Sequence, residues 1–210
     1  MPFDHNDHYH RAMARLVPGG ARTALDVGCG TGRFARRLAG LGIEVDAVDP
    51  APEVIEAASA SPVDGVRFVC ADVTRMELPP GRYDYISCLA SLHHMPFGTV
   101  AALRDALAPG GVLAVLGCYA ERTTADFVWS LAAVPANAAA RVAVAAGERA
   151  GGRDGGRRAV HVPAPVRPPE MSLEEVRREA ASLLPGFSLR RRLFWRYLLT
   201  YRKPSWPSPR

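Results

Sequence analysis

The sequence predicts an α/β fold in which a parallel sheet lies buried between two layers of helices. Three observations predict it. Short strand-like runs recur along the first half of the chain: Ala24-Leu25-Asp26-Val27, Ile43 to Asp49, Val66 to Cys70, Tyr83 to Leu89 and Val112 to Leu116. Segments with apolar residues at helical spacing lie between them. The last of these runs is almost entirely apolar, as expected of a strand covered on both faces. Right-handed crossovers then place helices on each side of the sheet.

Taken in order, residues 5–17 read as a helix with His8, Met13 and Leu16 on one face, stopped by Pro18-Gly19-Gly20. After the first strand, Phe34, Ala35, Leu38 and Ala39 recur at helical spacing, so a helix follows the glycines of residues 28–32. Pro50 to Ala60 opens with prolines suited to a first helical turn. Residues 98–108 form a helix that ends at Pro109-Gly110-Gly111. A further helix is expected over about 124–146, and residues 147–170, rich in Gly, Pro and Arg, are expected to be a flexible loop. Ser172-Leu173-Glu174-Glu175 has the spacing of a capping box, in which the serine oxygen accepts an early helix N–H and Glu175 reaches back. Two strands close the chain, at roughly 187–193 and 195–202.

The chain has 210 residues, 48% apolar and 22% charged, with a net charge of +5. That composition suits one globular domain over residues 1–210 and excludes collagen-like and wholly disordered chains. The charge excess is too small to imply nucleic acid by itself. Cys29, Cys70, Cys88 and Cys118 lack the spacing of a zinc or redox motif and read as small buried hydrophobes in a reducing cytoplasm. The N-terminus lacks the apolar core of a signal peptide, and the alanine-rich stretch from Phe127 to Gly147 is read as soluble helix.

The strongest chemical signal is Leu25-Asp26-Val27-Gly28-Cys29-Gly30-Thr31-Gly32. Glycines at alternate positions after a strand let a ligand lie against bare backbone, and the next helix offers free N–H groups to an anion. A dinucleotide fingerprint would put its third glycine at position 33, which is Arg33, so the pattern leans away from a nicotinamide enzyme. Asp49 and Asp72 end the second and third strands on the same rim. A carboxylate at Asp49 suits the two hydroxyls of a ribose, or caps the helix after Pro50. Asp72 suits an exocyclic adenine amine with Val73 against the ring, or is a turn aspartate.

Together LDVGCGTGRFARRLA, VDAVDP, VRFVCADV, YDYISCLASLHHM and LAPGGVLAVLG resemble the class I S-adenosylmethionine-dependent methyltransferases over residues 20–118. The resemblance implies a Rossmann-like, doubly wound sheet of about seven strands, mostly parallel with the last antiparallel. It implies S-adenosyl-L-methionine as cofactor. Asp26, Gly28, Gly30 and Gly32, with Cys29 in the turn, would hold the methionine end. Asp49, with Pro50 beside it, would hold the ribose. Asp72 and Val73 would hold the adenine, and Cys88 and Leu89 would line the cofactor's other side. Family members often close the leading helix over the cofactor, which makes Tyr9 a contact. Glu44 and Asp46 match no such role, and Asp46 is expected to be solvated at an edge or helix-facing rim.

His93 and His94 follow the fourth strand, near where family substrates meet the methyl group. One of them is the candidate general base or orienting donor, with packing as the alternative. No metal is expected: His5 and His8 share a helix face, but His10 does not join them. Arg190-Arg191-Arg192 reads as an edge strand with a solvated face. The sequence after the fourth strand, Leu89-Ala90-Ser91-Leu92-His93, lacks the Pro-Pro-aromatic motif of enzymes that methylate base amines. The expected function is methyl transfer to an oxygen, nitrogen or carbon nucleophile of a small molecule, in a cytoplasmic enzyme that needs neither nucleic acid nor membrane. The alternatives are a nicotinamide-dependent oxidoreductase and a non-catalytic S-adenosylmethionine-binding protein.

Overall fold

The computed structural model describes residues 5–122, 167–192 and 196–205, without the side chains of 5–8. The helix expected at 124–146 and most of the loop expected at 147–170 lie outside the described residues. Seven strands form one sheet: β1 (Thr23–Val27), β2 (Glu44–Asp49), β3 (Val66–Cys70), β4 (Tyr83–Leu89), β5 (Leu107–Cys118), β6 (Ser188–Arg192) and β7 (Arg196–Arg202). The described helices are α1 (His5–Ala14), α2 (Arg33–Ala39), α3 (Pro52–Ser59), α4 (Thr99–Ala106) and α5 (Leu173–Leu183).

The strand order is β3-β2-β1-β4-β5-β7-β6. Strands β1 to β5 pair in parallel, and β7 is antiparallel to both of its neighbours. The last strand of the chain is thus the one that runs backwards, as the family resemblance implied, and β6 forms the edge expected of the arginine run. Strand β5 begins earlier than its apolar core. Leu107 already pairs with Tyr83, and the ladder is then shifted across Pro109-Gly110-Gly111 before regular pairing resumes at Val112. The helix before it is correspondingly shorter than the sequence pattern predicted.

Strand alternation sorts the interior onto two faces. On one, Leu25, Val27, Ile86, Cys88, Leu113 and Val115 meet α4 and α5 through Val100, Leu103, Val176 and Ala180. On the other, Ala24, Val45, Ala47, Tyr85, Ala114 and Leu116 meet α1 and α2 through Tyr9, Met13, Phe34, Ala35 and Leu38. The capping box of α5 is formed in both directions: the Glu175 N–H donates to the Ser172 hydroxyl oxygen, and Glu175 accepts from the Ser172 N–H at 2.7 Å.

The expectation that Asp46 is solvated is corrected by the structure. Asp46 is 8% exposed and accepts from Arg67 Nε at 2.8 Å and from the buried Tyr83 hydroxyl at 2.8 Å, with Arg82 at 3.4 Å. Its register partner on β3 is Arg67, so the cross-strand pair neutralises an acid inside the sheet. The cluster borders a groove of about 340 Å³ at the amino ends of the strands, opposite the glycine turn. Burial pushes the Asp46 carboxyl up, but the bonds from Arg67 and Tyr83 outweigh it and hold it below the usual aspartate range. Asp46→Ala leaves the Tyr83 hydroxyl without its acceptor and is expected to cost about 1–3 kcal/mol in urea unfolding. Because a lowered carboxyl contributes stability that is lost on acidification, the difference from the parent shrinks as pH falls below the aspartate range.

Candidate functional site at the carboxyl rim of the sheet

The turn after β1 is built entirely at the carboxyl ends of the strands. Gly28 N–H and Cys29 N–H both donate to Val48 O, at 2.8 and 3.1 Å, so β1 stays paired with β2 up to the moment it turns. Gly28, Gly30 and Gly32 all adopt positive φ (68°, 55° and 77°), where a side chain is strained. The three differ in what surrounds them. A Cβ on Gly28 would lie 2.3 Å from Ser91 Cβ, and one on Gly32 would lie 2.4 Å from the Phe68 ring. A Cβ on Gly30 would meet nothing within 4 Å. Gly28 and Gly32 are therefore required by packing as well as by conformation, while Gly30 turns bare backbone toward open space.

The Asp26 side chain is turned into the interior, where its partners are protein groups. It is 2% exposed, on the α2 side of the sheet. It accepts from the Ser87 hydroxyl at 2.7 Å and from the backbone N–H of Ala35. Ser87 is its register partner on β4. The carboxyl thus fastens β1, β4 and the first turn of α2 from below. Arg36 fastens the turn from the side: its guanidinium donates to Thr31 O, Ala58 O and Ser61 O and lies 5.0 Å from the centre of the Phe68 ring.

Asp49 crosses the top of the turn. One carboxylate oxygen accepts from Gly30 N–H at 3.0 Å and the other from Ala51 N–H at 3.0 Å. It is half-buried, beside exposed Pro50, so it both holds the loop and opens α3 while keeping lone pairs toward solvent. Asp72 is exposed, and one of its oxygens accepts from the Thr74 N–H and hydroxyl at 2.9 and 2.7 Å. Val73 is 6% exposed, in the core. Cys29 is half-buried in the turn, and burial pushes its thiol well up. Cys88 was expected to line a ligand, but it is fully buried among the core side chains, with its thiol pushed up by burial. Leu89, one residue on, is half-buried at the rim. Tyr9 is 8% exposed, packed with α2 residues.

Beyond Leu89 the chain turns sharply. Ala90 has φ of 54°, the one non-glycine residue with positive φ among those described, and its N–H donates to Leu116 O at 2.7 Å. Such strain is held only where neighbours fix it, here by the β5 ladder and by Ser91, whose hydroxyl donates to Val27 O at 2.6 Å. This turn delivers the two histidines in different directions. Their ring centres are 4.0 Å apart. His94 is exposed and feels the charges of Arg167 and Asp49. His93 lines a cavity of about 180 Å³ with Leu92, Met95, Phe97, Cys118, Met171, Val176 and Tyr197 among its walls. Its Nδ1 is buried without a hydrogen-bond partner among the described residues. Burial, then the charges of His94 and Arg196, push the His93 imidazole down to about 4. Burial and Arg167 also lower His94.

Sequence reasoning missed Ser91 and Phe68, which close the glycine positions, and Cys118 and Tyr197, which wall the cavity. Cys118 ends β5 on the ligand-binding rim, so strand position alone offered a signal for it. The side-chain contacts of Ser91 and Phe68 had no signal in one sequence. Among the described residues no group of three or more His, Cys, Asp or Glu could hold a metal ion.

Burial raises the Asp26 carboxyl from 3.8 to about 7, against the opposing bonds from Ser87 and Ala35. The unfolded chain gives up that proton near pH 4 and the folded chain near pH 7, so the stability contributed by Asp26 falls across this window and then levels off. Asp26→Asn keeps acceptor and shape without the charge. Its melting temperature is expected to decline less than the parent's between pH 5 and pH 8; equal declines would show that Asp26 is ionised throughout.

The comparisons with known proteins agree with this geometry. Residues 24–111 match the family model described as a methyltransferase domain. The chain is 33% identical over 207 residues to an uncharacterised methyltransferase of Mycobacterium tuberculosis, covering 97% of this chain and 98% of that protein. It is 37% identical over 135 residues to a ubiquinone biosynthesis O-methyltransferase of Xanthomonas axonopodis, covering 61% of this chain and 54% of the relative. The fold is shared with a 1,6-didemethyltoxoflavin-N1-methyltransferase of Burkholderia thailandensis, with a TM-score of 0.56, 19% identity, and 93% of this chain and 78% of that one covered. A glycine turn at the switch point of the sheet, an acid on the next strand, the seven-strand order and a full-length relative all point one way: the chain belongs to the class I S-adenosylmethionine-dependent methyltransferases.

Proposed function

We propose that the carboxyl rim binds S-adenosylmethionine across the β1–β4 switch point and transfers its methyl group to a small molecule seated over β4 and β5. The observation that carries this reading is the open backbone at Gly30 held by Asp49, with the His93 cavity beside it. When bound, the cofactor supplies a methyl group already activated on a sulfonium.

The residues of the chain then have the following roles. Gly30 lets the amino-acid end of the cofactor approach the backbone, while Gly28 and Gly32 allow the turn to exist and Cys29 packs beneath it. Asp26 stiffens that turn from below. Asp49 accepts the ribose hydroxyls with the lone pairs left by Gly30 and Ala51, beside Pro50. Asp72 receives the adenine amine, and Val73 and Leu89 bound the ring. Tyr9 supports the site through α2, and Cys88 packs under it. His93 and His94 face the acceptor and orient it for in-line attack, a task that needs alignment and exclusion of water more than covalent help. The narrow cavity favours a small acceptor over nucleic acid, and four free thiols suit a reducing compartment.

Calorimetry tests the reading. The protein is expected to bind S-adenosylmethionine and S-adenosylhomocysteine and not the nicotinamide dinucleotides; the reverse would make it an oxidoreductase. Binding with no turnover over a broad acceptor panel would make it a non-catalytic binder. Asp49→Ala is expected to weaken cofactor binding roughly 10- to 100-fold, through charge-assisted bonds worth about 1.5–3 kcal/mol. An unchanged dissociation constant would remove Asp49 from the site.

A further inference from the structure

Resting on that reading, we infer that the methyl acceptor is a small carboxylate, methylated on oxygen to a methyl ester, with one carboxylate oxygen held by His93.

The cavity supplies the first argument. At about 180 Å³ it is little larger than the ~150 Å³ that takes a single benzene ring, and its walls are mostly apolar. The acceptor is therefore compact, with an apolar body lying against Leu92, Met95, Phe97 and Val176. His93 lines this space together with Cys118, Glu170 and Tyr197, and its Nδ1 is buried with no hydrogen-bond partner among the described residues. Neutral imidazole carries one N–H, and the tautomer with that proton on Nδ1 offers it to an anion in the cavity.

Charge supplies the second argument. Arg196, on the first residue of β7, lies against the Cys118 thiol at the cavity wall and acts on His93 through its charge. Arg167 acts in the same way on His94. Two guanidinium groups thus act on the histidine pair, against Asp49, which acts on His94 in the opposite sense. Glu170, the acidic residue on the lining, is exposed, and its backbone carbonyl is tied to Arg122 at 2.7 Å. Glu175 is paired with Arg122.

The chemistry supplies the third. A hydroxyl or an ammonium must lose a proton to act as nucleophile, and an imidazole that resists protonation as His93 does is a poor agent for removing it at neutral pH. A carboxylate needs no base. Its oxygen lone pair forms the new O–C bond, the S–C bond breaks with its electron pair going to sulfur, and no proton moves. One negative and one positive charge become two neutral products, a change that an apolar, water-poor cavity favours.

The test offers the protein butyrate, glutarate and benzoate, with butanol, butylamine and catechol as controls. Formation of S-adenosylhomocysteine and of the methylated product is read by mass spectrometry. Binding of the carboxylates to the S-adenosylhomocysteine complex is read by calorimetry. Carboxylates are expected to bind and to give methyl esters at least tenfold faster than any control. Turnover is expected to show no steep rise from pH 6 to pH 8, because a carboxylate stays ionised there and no proton has to be removed from it. Arg196→Gln is expected to raise KM for the carboxylate about 10-fold with cofactor affinity unchanged. His93→Asn, which keeps an N–H donor, is expected to retain far more carboxylate binding than His93→Phe. Preference for the alcohol, amine or phenol, no binding or methylation of any carboxylate, or turnover climbing steeply with pH would overturn the inference while leaving the cofactor reading intact. Loss of S-adenosylhomocysteine binding in the parent protein would instead overturn the proposed function itself.

Discussion

One hydrogen bond organises the carboxyl rim of the sheet: the Asp49 carboxylate accepts the N–H of Gly30 at 3.0 Å. It joins the end of β2 to the tip of the turn after β1. Everything else at the rim is arranged so that this bond can form. The turn must take three left-handed backbone conformations, which only glycine adopts without strain. Ser91 and Phe68 occupy the space where two of those glycines would carry side chains. Asp26, sealed beneath, anchors the first turn of α2, so the loop is gripped from both sides. Asp49 sets a carboxylate against the open backbone of Gly30, and Arg36 fastens the same turn from the side.

Much of the fold was legible because the strands announce themselves. Each parallel strand is a short apolar run, and each is followed by a turn signal. The boundary of β5 was not legible, because Pro109-Gly110-Gly111 reads as a break in one dimension while the ladder spans it with a shifted register. Asp46 was misread for a related reason. An acid in a strand looks solvated until its cross-strand neighbour is known, and Arg67 is 21 positions away. At the site, glycine spacing and strand-end acids were readable, since backbone conformation and strand polarity follow from local sequence. Which side chains face the cleft was not. Asp26 and Cys88 lie on strands that reach the rim, yet both point into the interior, and that depends on packing partners distant in sequence. The histidine pair was visible as a pair, but its divergence follows from the strained turn at Ala90.

The rim divides into two electrostatic halves. Around the glycine turn stand the carboxylates of Asp49 and Asp72, with Asp26 sealed beneath and the Arg36 guanidinium at the side. Near the cavity, which Glu170 lines, the charges of Arg196 and Arg167 act on His93 and His94 and lower both imidazoles together with burial. A reaction that joins a cationic donor to an acceptor of opposite sign is served by such a division, because each partner is drawn to its own half and the two meet where the fields change sign. The buried Asp26 and the reluctant His93 are then consequences of the same enclosure, which removes water from both halves of the rim.

The position of β7 carries an implication for how the chain acquires its structure. It follows β6 in the chain, yet it is inserted between β5 and β6, and among the described residues β6 is joined to the sheet through it alone. Until residues 196–202 are in place, the long apolar β5 keeps an open backbone edge and β6 has no strand to pair with. Completion of the sheet is therefore a single closing event that depends on β7, and loss of its pairing would release two strands at once.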